Sequence, residues 1–121
     1  MNYIHLTKNE NGVSFFEDHS IGLNATDFAA PAPLINNSDV EVATQFVNLW
    51  LPSGWTGKKH PSPRPQVLFC LQGRMRVEAG DGPFREIGAG DNWRIEDTEG
   101  SGHTTTVISD VDMNCAVVQL G

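Results

Sequence analysis

An all-β fold of the sandwich or barrel type is predicted by three observations: short strand-like runs along the whole chain, glycine turns between them, and no convincing amphipathic helix. Twelve glycines and seven prolines in 121 residues supply the punctuation. No internal repeat, low-complexity tract or linker divides the chain, so one domain with its own core is expected over 1–121.

Taken in order, Val13, Phe15 and Phe16 supply β-formers to a short strand over 13–19. His19 ends that strand as a surface or hydrogen-bonding histidine, or as one reaching a cavity mouth. Residues 24–39 hold Pro31, Pro33 and several asparagines and alanines, and read as an irregular cover over one end of a barrel. Asn36, Asn37, Ser38 and Asp39 form a turn signal. Residues 40–51 are the longest strand candidate: β-branched and aromatic enrichment favours strand over helix. Pro52, Ser53 and Gly54 close it.

The next stretch organises the rest. A glycine-rich turn from Gly54 delivers His60, and Pro61, Pro63 and Pro65 hold the following residues extended. His60, Ser62, Arg64 and Gln66 share one parity, which predicts that they face one space. The apolar run 67–71 ends at Gly73, and residues 74–79 read as its hairpin partner. Gly80, Asp81 and Gly82 make a turn. Short strands over 84–87, 92–96, 104–109 and 115–120 complete the set. Gly100, Ser101 and Gly102 deliver a second histidine, His103, and the two histidine stretches are expected to meet inside the barrel.

The net charge of −7 argues against a nucleic-acid partner, because phosphate binding needs a basic face. Lys58, Lys59 and Arg64 read as a solvated rim. Cys70 and Cys115 both lie in apolar runs and read as small buried hydrophobes. The N-terminus lacks the basic and apolar regions of a signal peptide, and no run reaches the ~20 apolar residues of a membrane helix. A cytoplasmic location without membrane attachment is expected by default.

These residues carry a resemblance to the cupins. The family's first motif runs Gly, five residues, His, one residue, His, three or four residues, Glu, six residues, Gly. Here Gly54 stands five residues before His60, Ser62 occupies the second histidine position, Gln66 the glutamate position, and Gly73 follows after six residues. Gly82, then Gly88, Ala89 and Gly90 with Asp91, and His103 resemble the second motif, with glycine in place of its proline and a longer gap before the histidine. The match spans roughly 45–120, over half of the chain. The chain is also similar to a subgroup of small bacterial cupins of unassigned activity. The resemblance implies a single cupin domain with a jelly-roll-like β-barrel of two antiparallel sheets. It would have an N-terminal strand and irregular cover over 1–40 and the barrel over 41–121. It implies a site inside the barrel and a homodimer, with the 13–16 strand crossing to a neighbouring subunit to protect a sheet edge.

By the same resemblance His60, Gln66 and His103 are the metal-ligand candidates, and Ser62 replaces the remaining histidine. Two imidazoles and a neutral amide suit Zn, Ni, Fe or Cu better than Mg or Ca, and leave positions open to water or substrate. The alternative is a polar pocket with no metal. Arg64 is read as a rim or salt-bridge residue, or as one that points inward to a carboxylate ligand. Trp55 and Trp93 are read as core or cavity wall. Glu96 shares the strand of Trp93 and is open to either face; with Asp97 and His19 it is a candidate to complete the site. Asp91 is read as a turn residue that binds local backbone amides.

Three functions follow. The first is a metal-dependent enzyme acting on a small metabolite, with catalytic residues unassigned. The second is a non-catalytic module binding a small ligand. The third is metal-free acid–base catalysis, which a pairing of His60 or His103 with Glu96 or Asp97 in a dry pocket would favour.

Overall fold

The computed structural model describes residues 1–80 and 82–121. Asp81, in the expected 80–82 turn, lies outside the described residues; beside it, the Gly82 amide donates to the Ala79 carbonyl at 3.1 Å. The fold is all-β and jelly-roll-like. Its strands are β1 (Asn2–Lys8), β2 (Ser14–Ser20), β3 (Asn24–Thr26), β4 (Ile35–Asn37), β5 (Gln45–Leu51), β6 (Gln66–Gln72), β7 (Arg74–Glu78), β8 (Phe84–Gly88), β9 (Asn92–Ile95), β10 (Thr104–Val107) and β11 (Met113–Gln119). Among the described residues no helix is long and apolar enough to cross a membrane.

Six strands form one sheet in the order β2-β1-β9-β6-β11-β5, and β10-β7-β8 form a second. The core fills the space between them. Leu6, Leu68, Cys70, Trp93, Ile95, Cys115 and Val117 come from the larger sheet, and Met75, Val77, Ile87 and Val107 from the smaller. Side chains alternate strictly along β7 and β11, one face buried and one exposed or half-buried.

The structure adds one strand to the sequence reading and corrects four expectations. Residues 1–8 carry β1, a strand the sequence reading left unassigned; it pairs with β2 on one side and runs parallel to β9 on the other. Ile4 and Leu6 supply its inward face, and Leu6 is completely buried. The expected strand over 40–51 starts only at Gln45. Its ladder partner β11 ends at Gln119, opposite Gln45, so Val40 and Val42 have nothing to pair with and stay 85% and 82% exposed.

β7 is not the hairpin partner of β6. Gly73, at φ +85°, turns the chain from the larger sheet into the smaller, and β7 pairs with β8 and β10 instead. Asn36 and Asn37 lie in β4, which forms a small hairpin with β3 inside the otherwise irregular 24–39 cover. Finally, residues 61–65 are not a regular strand: the Ser62 hydroxyl donates to the Arg64 carbonyl at 2.7 Å and curls the segment, since the prolines have no N–H to offer a ladder.

Because Leu6 plugs the core from a strand held on both sides, Leu6→Ala should lower unfolding free energy by about 2–5 kcal/mol. Urea denaturation checks this; a near-neutral effect would contradict the placement of β1.

Candidate functional site

The two histidine stretches meet at one end of the core. His60 and His103 form an antiparallel bridge, each amide donating to the other's carbonyl at 3.1 and 3.0 Å. Their rings lie 5.3 Å apart, centre to centre. Glycine makes this approach feasible: a Cβ on Gly102, which has φ +77°, would run into the backbone of His60 and Pro61. The loop before His103 is anchored from β2. The fully buried Ser14 hydroxyl donates to the Gly102 carbonyl at 2.6 Å and accepts from the Gly80 amide at 2.6 Å.

The two imidazoles have different surroundings but one feature in common. His103 is 5% exposed and its Nδ1 lies 2.6 Å from Oδ2 of Asp97, which is 0% exposed. His60 is exposed, and its Nδ1 lies 2.7 Å from the Lys58 carbonyl. Both partners are acceptors, so each Nδ1 carries a proton, and in the neutral form of either ring the lone pair lies on Nε2. Trp93 packs edge-on to His103 at 5.5 Å and 81°, fixing the second side of that ring. Two buried polar atoms here have no hydrogen-bond partner among the described residues: Trp93 Nε1 and Asp97 Oδ1.

The remaining candidates divide. Ser62 is buried beside this pair, its amide donating to the Asp97 carbonyl at 3.0 Å. Gln66 begins β6 on the core-facing parity of Leu68 and Cys70; its Oε1 accepts from Gln119 Nε2 at 3.1 Å. Trp55 is half-buried and packs against the core. Arg64 is exposed and donates to the Gly121 carbonyl at 3.1 Å, which matches the rim reading. Of the four residues expected to face one space, Arg64 turns away from the histidine pair.

Glu96 and His19 are also displaced. Trp93, Ile95 and Asp97 are buried, so the alternation places Arg94 and Glu96 on the opposite face. There Glu96 lies 3.2 Å from His5 and 3.8 Å from Arg94. His19 stacks on Tyr3 on the same outer face. Asp97 is the acidic residue that reaches His103; its parity with Trp93 was the signal for it. Ser14 carried no signal, since a lone serine opening a strand resembles any other.

Asp91 accepts from the Gly88 amide at 2.8 Å, as its turn reading requires. The cysteines are buried and face each other across β6 and β11. Burial pushes the Cys115 thiol up to about 12 and raises that of Cys70, so neither supplies a thiolate nucleophile at neutral pH.

No protein-family model and no curated protein matches the chain. Solved structures do. It is similar to a cupin 2 conserved barrel domain protein from Salinispora arenicola, at 18% identity and a TM-score of 0.51, covering 84% of this chain and 78% of that one. A cupin domain from Bordetella pertussis matches at 15% identity and a TM-score of 0.51, covering 85% and 97%. A cupin domain from Schizosaccharomyces pombe matches at 12% identity and a TM-score of 0.50, covering 100% and 83%. The fold is that of the cupin superfamily.

Nitrogen-15 NMR of the imidazoles checks the proton assignment. In their neutral forms His103 and His60 should both be Nδ1–H tautomers with unprotonated Nε2. An Nε2–H tautomer at His103 would contradict the geometry.

Proposed function

We propose that this cupin-fold chain binds a divalent transition metal through Nε2 of His60 and His103 and uses that site on a small metabolite. One observation carries the reading: both neighbouring rings have Nδ1 committed to an acceptor oxygen. A histidine that ligates a metal usually donates its other nitrogen to a carboxylate or a backbone carbonyl, and Asp97 and the Lys58 carbonyl supply one of each. The donor set fits Zn, Ni, Fe or Cu. Gln66 is the third candidate ligand, since its bond from Gln119 leaves a second lone pair on Oε1.

A metal held there would act as a Lewis acid toward a bound oxygen. The protein's own part is easier to specify. Asp97 fixes the tautomer and ring angle of His103, Trp93 walls off one side, and the exposed His60 leaves the site open to solvent. A ligand or water entering this end could satisfy Trp93 Nε1 and Asp97 Oδ1.

The same His103–Asp97 pair supports a second reading, metal-free acid–base catalysis, in which Nε2 of His103 exchanges a proton with substrate and Asp97 stabilises the imidazolium. It ranks second because that chemistry in this fold commonly uses a tyrosine, and Tyr3 stacks on His19 on the other face of the sheet. For the homodimer, the exposed Phe46 and Trp50 on edge strand β5 and the exposed Leu71 on β6 offer an apolar surface for a second copy.

His60→Ala and His103→Asn test the proposal. Asparagine keeps a donor near the Nδ1 position for Asp97 while deleting Nε2. Each variant should remain folded and lose about one metal ion per chain by elemental analysis. Unchanged metal content in both would contradict the ligand assignment, and a metal-free wild type after reloading would favour the acid–base reading.

A further inference from the structure

The outer face of the six-stranded sheet holds a second group of metal-type donors, distinct from the barrel end. In the β1–β2 register Tyr3 faces His19 and His5 faces Glu17. His5 and His19 are therefore diagonal neighbours on one face, with Glu17 completing the corner. One ligand atom from each of His5, Glu17 and His19 lies within 4.8 Å of the others. The imidazole rings are 5.4 Å apart, and His19 Nε2 lies 3.6 Å from Glu17 Oε2.

A carboxylate oxygen of Glu96, brought alongside by the parallel pairing of β1 with β9, lies 3.2 Å from His5 Nε2. That contact lacks the alignment of a hydrogen bond, so His5 Nε2 is buried without a hydrogen-bond partner among the described residues. Ligand atoms at 2.0–2.1 Å around a tetrahedral zinc are separated by roughly 3.3–3.4 Å. The His19–Glu17 and His5–Glu96 separations of 3.6 and 3.2 Å are close to that edge length, and an ion would draw the His5, Glu17 and His19 donors in from within 4.8 Å of one another. Tyr3 stacks on the His19 ring at 5.3 Å and 27°, which limits its rotation. Arg94 is the competing cation, but it is paired with Glu41 as well as lying 3.8 Å from Glu96.

We propose that His5, Glu17 and His19, with Glu96 as fourth ligand, form a zinc-type site on the outer face of β1 and β2. Two imidazoles and two carboxylates form a closed set suited to a structural ion. β2 is an edge strand paired only with β1. An ion across the pair ties that edge down, and would stabilise the folded chain in proportion to its occupancy.

The test uses the full chain carrying His60→Ala and His103→Asn, so that the barrel-end donors are absent, with Zn²⁺ and Co²⁺ as probes. This variant should still bind about one Zn²⁺ per chain and show the intense visible absorption of tetrahedral Co²⁺. Adding His5→Ala and His19→Ala should abolish both signals, with circular dichroism confirming the fold. Glu17→Gln, which keeps both imidazoles, should weaken Zn²⁺ binding by about tenfold or more. Retained Zn²⁺ affinity after the His5 and His19 substitutions would overturn the proposal. So would absence of Zn²⁺ binding in the parent variant. The barrel-end reading fails separately, if wild-type metal is lost on changing His5 and His19 alone.

Discussion

A completely buried carboxylate must be neutralised or hydrogen-bonded, and Asp97 meets that requirement through His103. Much of the barrel end follows from this pairing. His103 cannot turn away without stranding the carboxylate, and a buried charge left without its partner typically destabilises by about 3–5 kcal/mol. With His103 fixed, its backbone bridges to His60, and glycine at position 102 lets the two chains touch. Ser14, Ser62 and Trp93 then close around the pair from three directions.

The larger sheet separates two kinds of chemistry by parity alone. Along β9 and just beyond it, Trp93, Ile95 and Asp97 face the core while Arg94 and Glu96 face outward. The inner set meets His103 in a buried setting. The outer set joins His5, Glu17 and His19 in a half-exposed one. Two histidine pairs, with ring centres 5.3 and 5.4 Å apart, therefore lie on opposite faces of one strand layer.

The glycine and proline punctuation made the all-β class legible, and motif spacing was enough to expect His60 and His103 to meet. Strand pairing was less accessible. β6 and β7 are contiguous around Gly73 and look like a hairpin, yet a glycine at positive φ sends them into different sheets, a tertiary choice that no local pattern encodes. β1 was missed because only Ile4 and Leu6 mark its inward face, and its polar outward residues look like a terminus. Arg64 did not join His60 and Ser62 because alternation holds only in a ladder, and the prolines exclude one there. Glu96 was open to either face until its parity was counted from Trp93.

The central claim is that Nε2 of His60 and Nε2 of His103 share one metal ion. An anomalous difference map, from crystals grown with the ion and collected on both sides of its absorption edge, tests it most directly. The account predicts a peak about 2.0–2.1 Å from both Nε2 atoms. A barrel end with no anomalous peak at full occupancy elsewhere, or a peak bonded to neither ring, would contradict it.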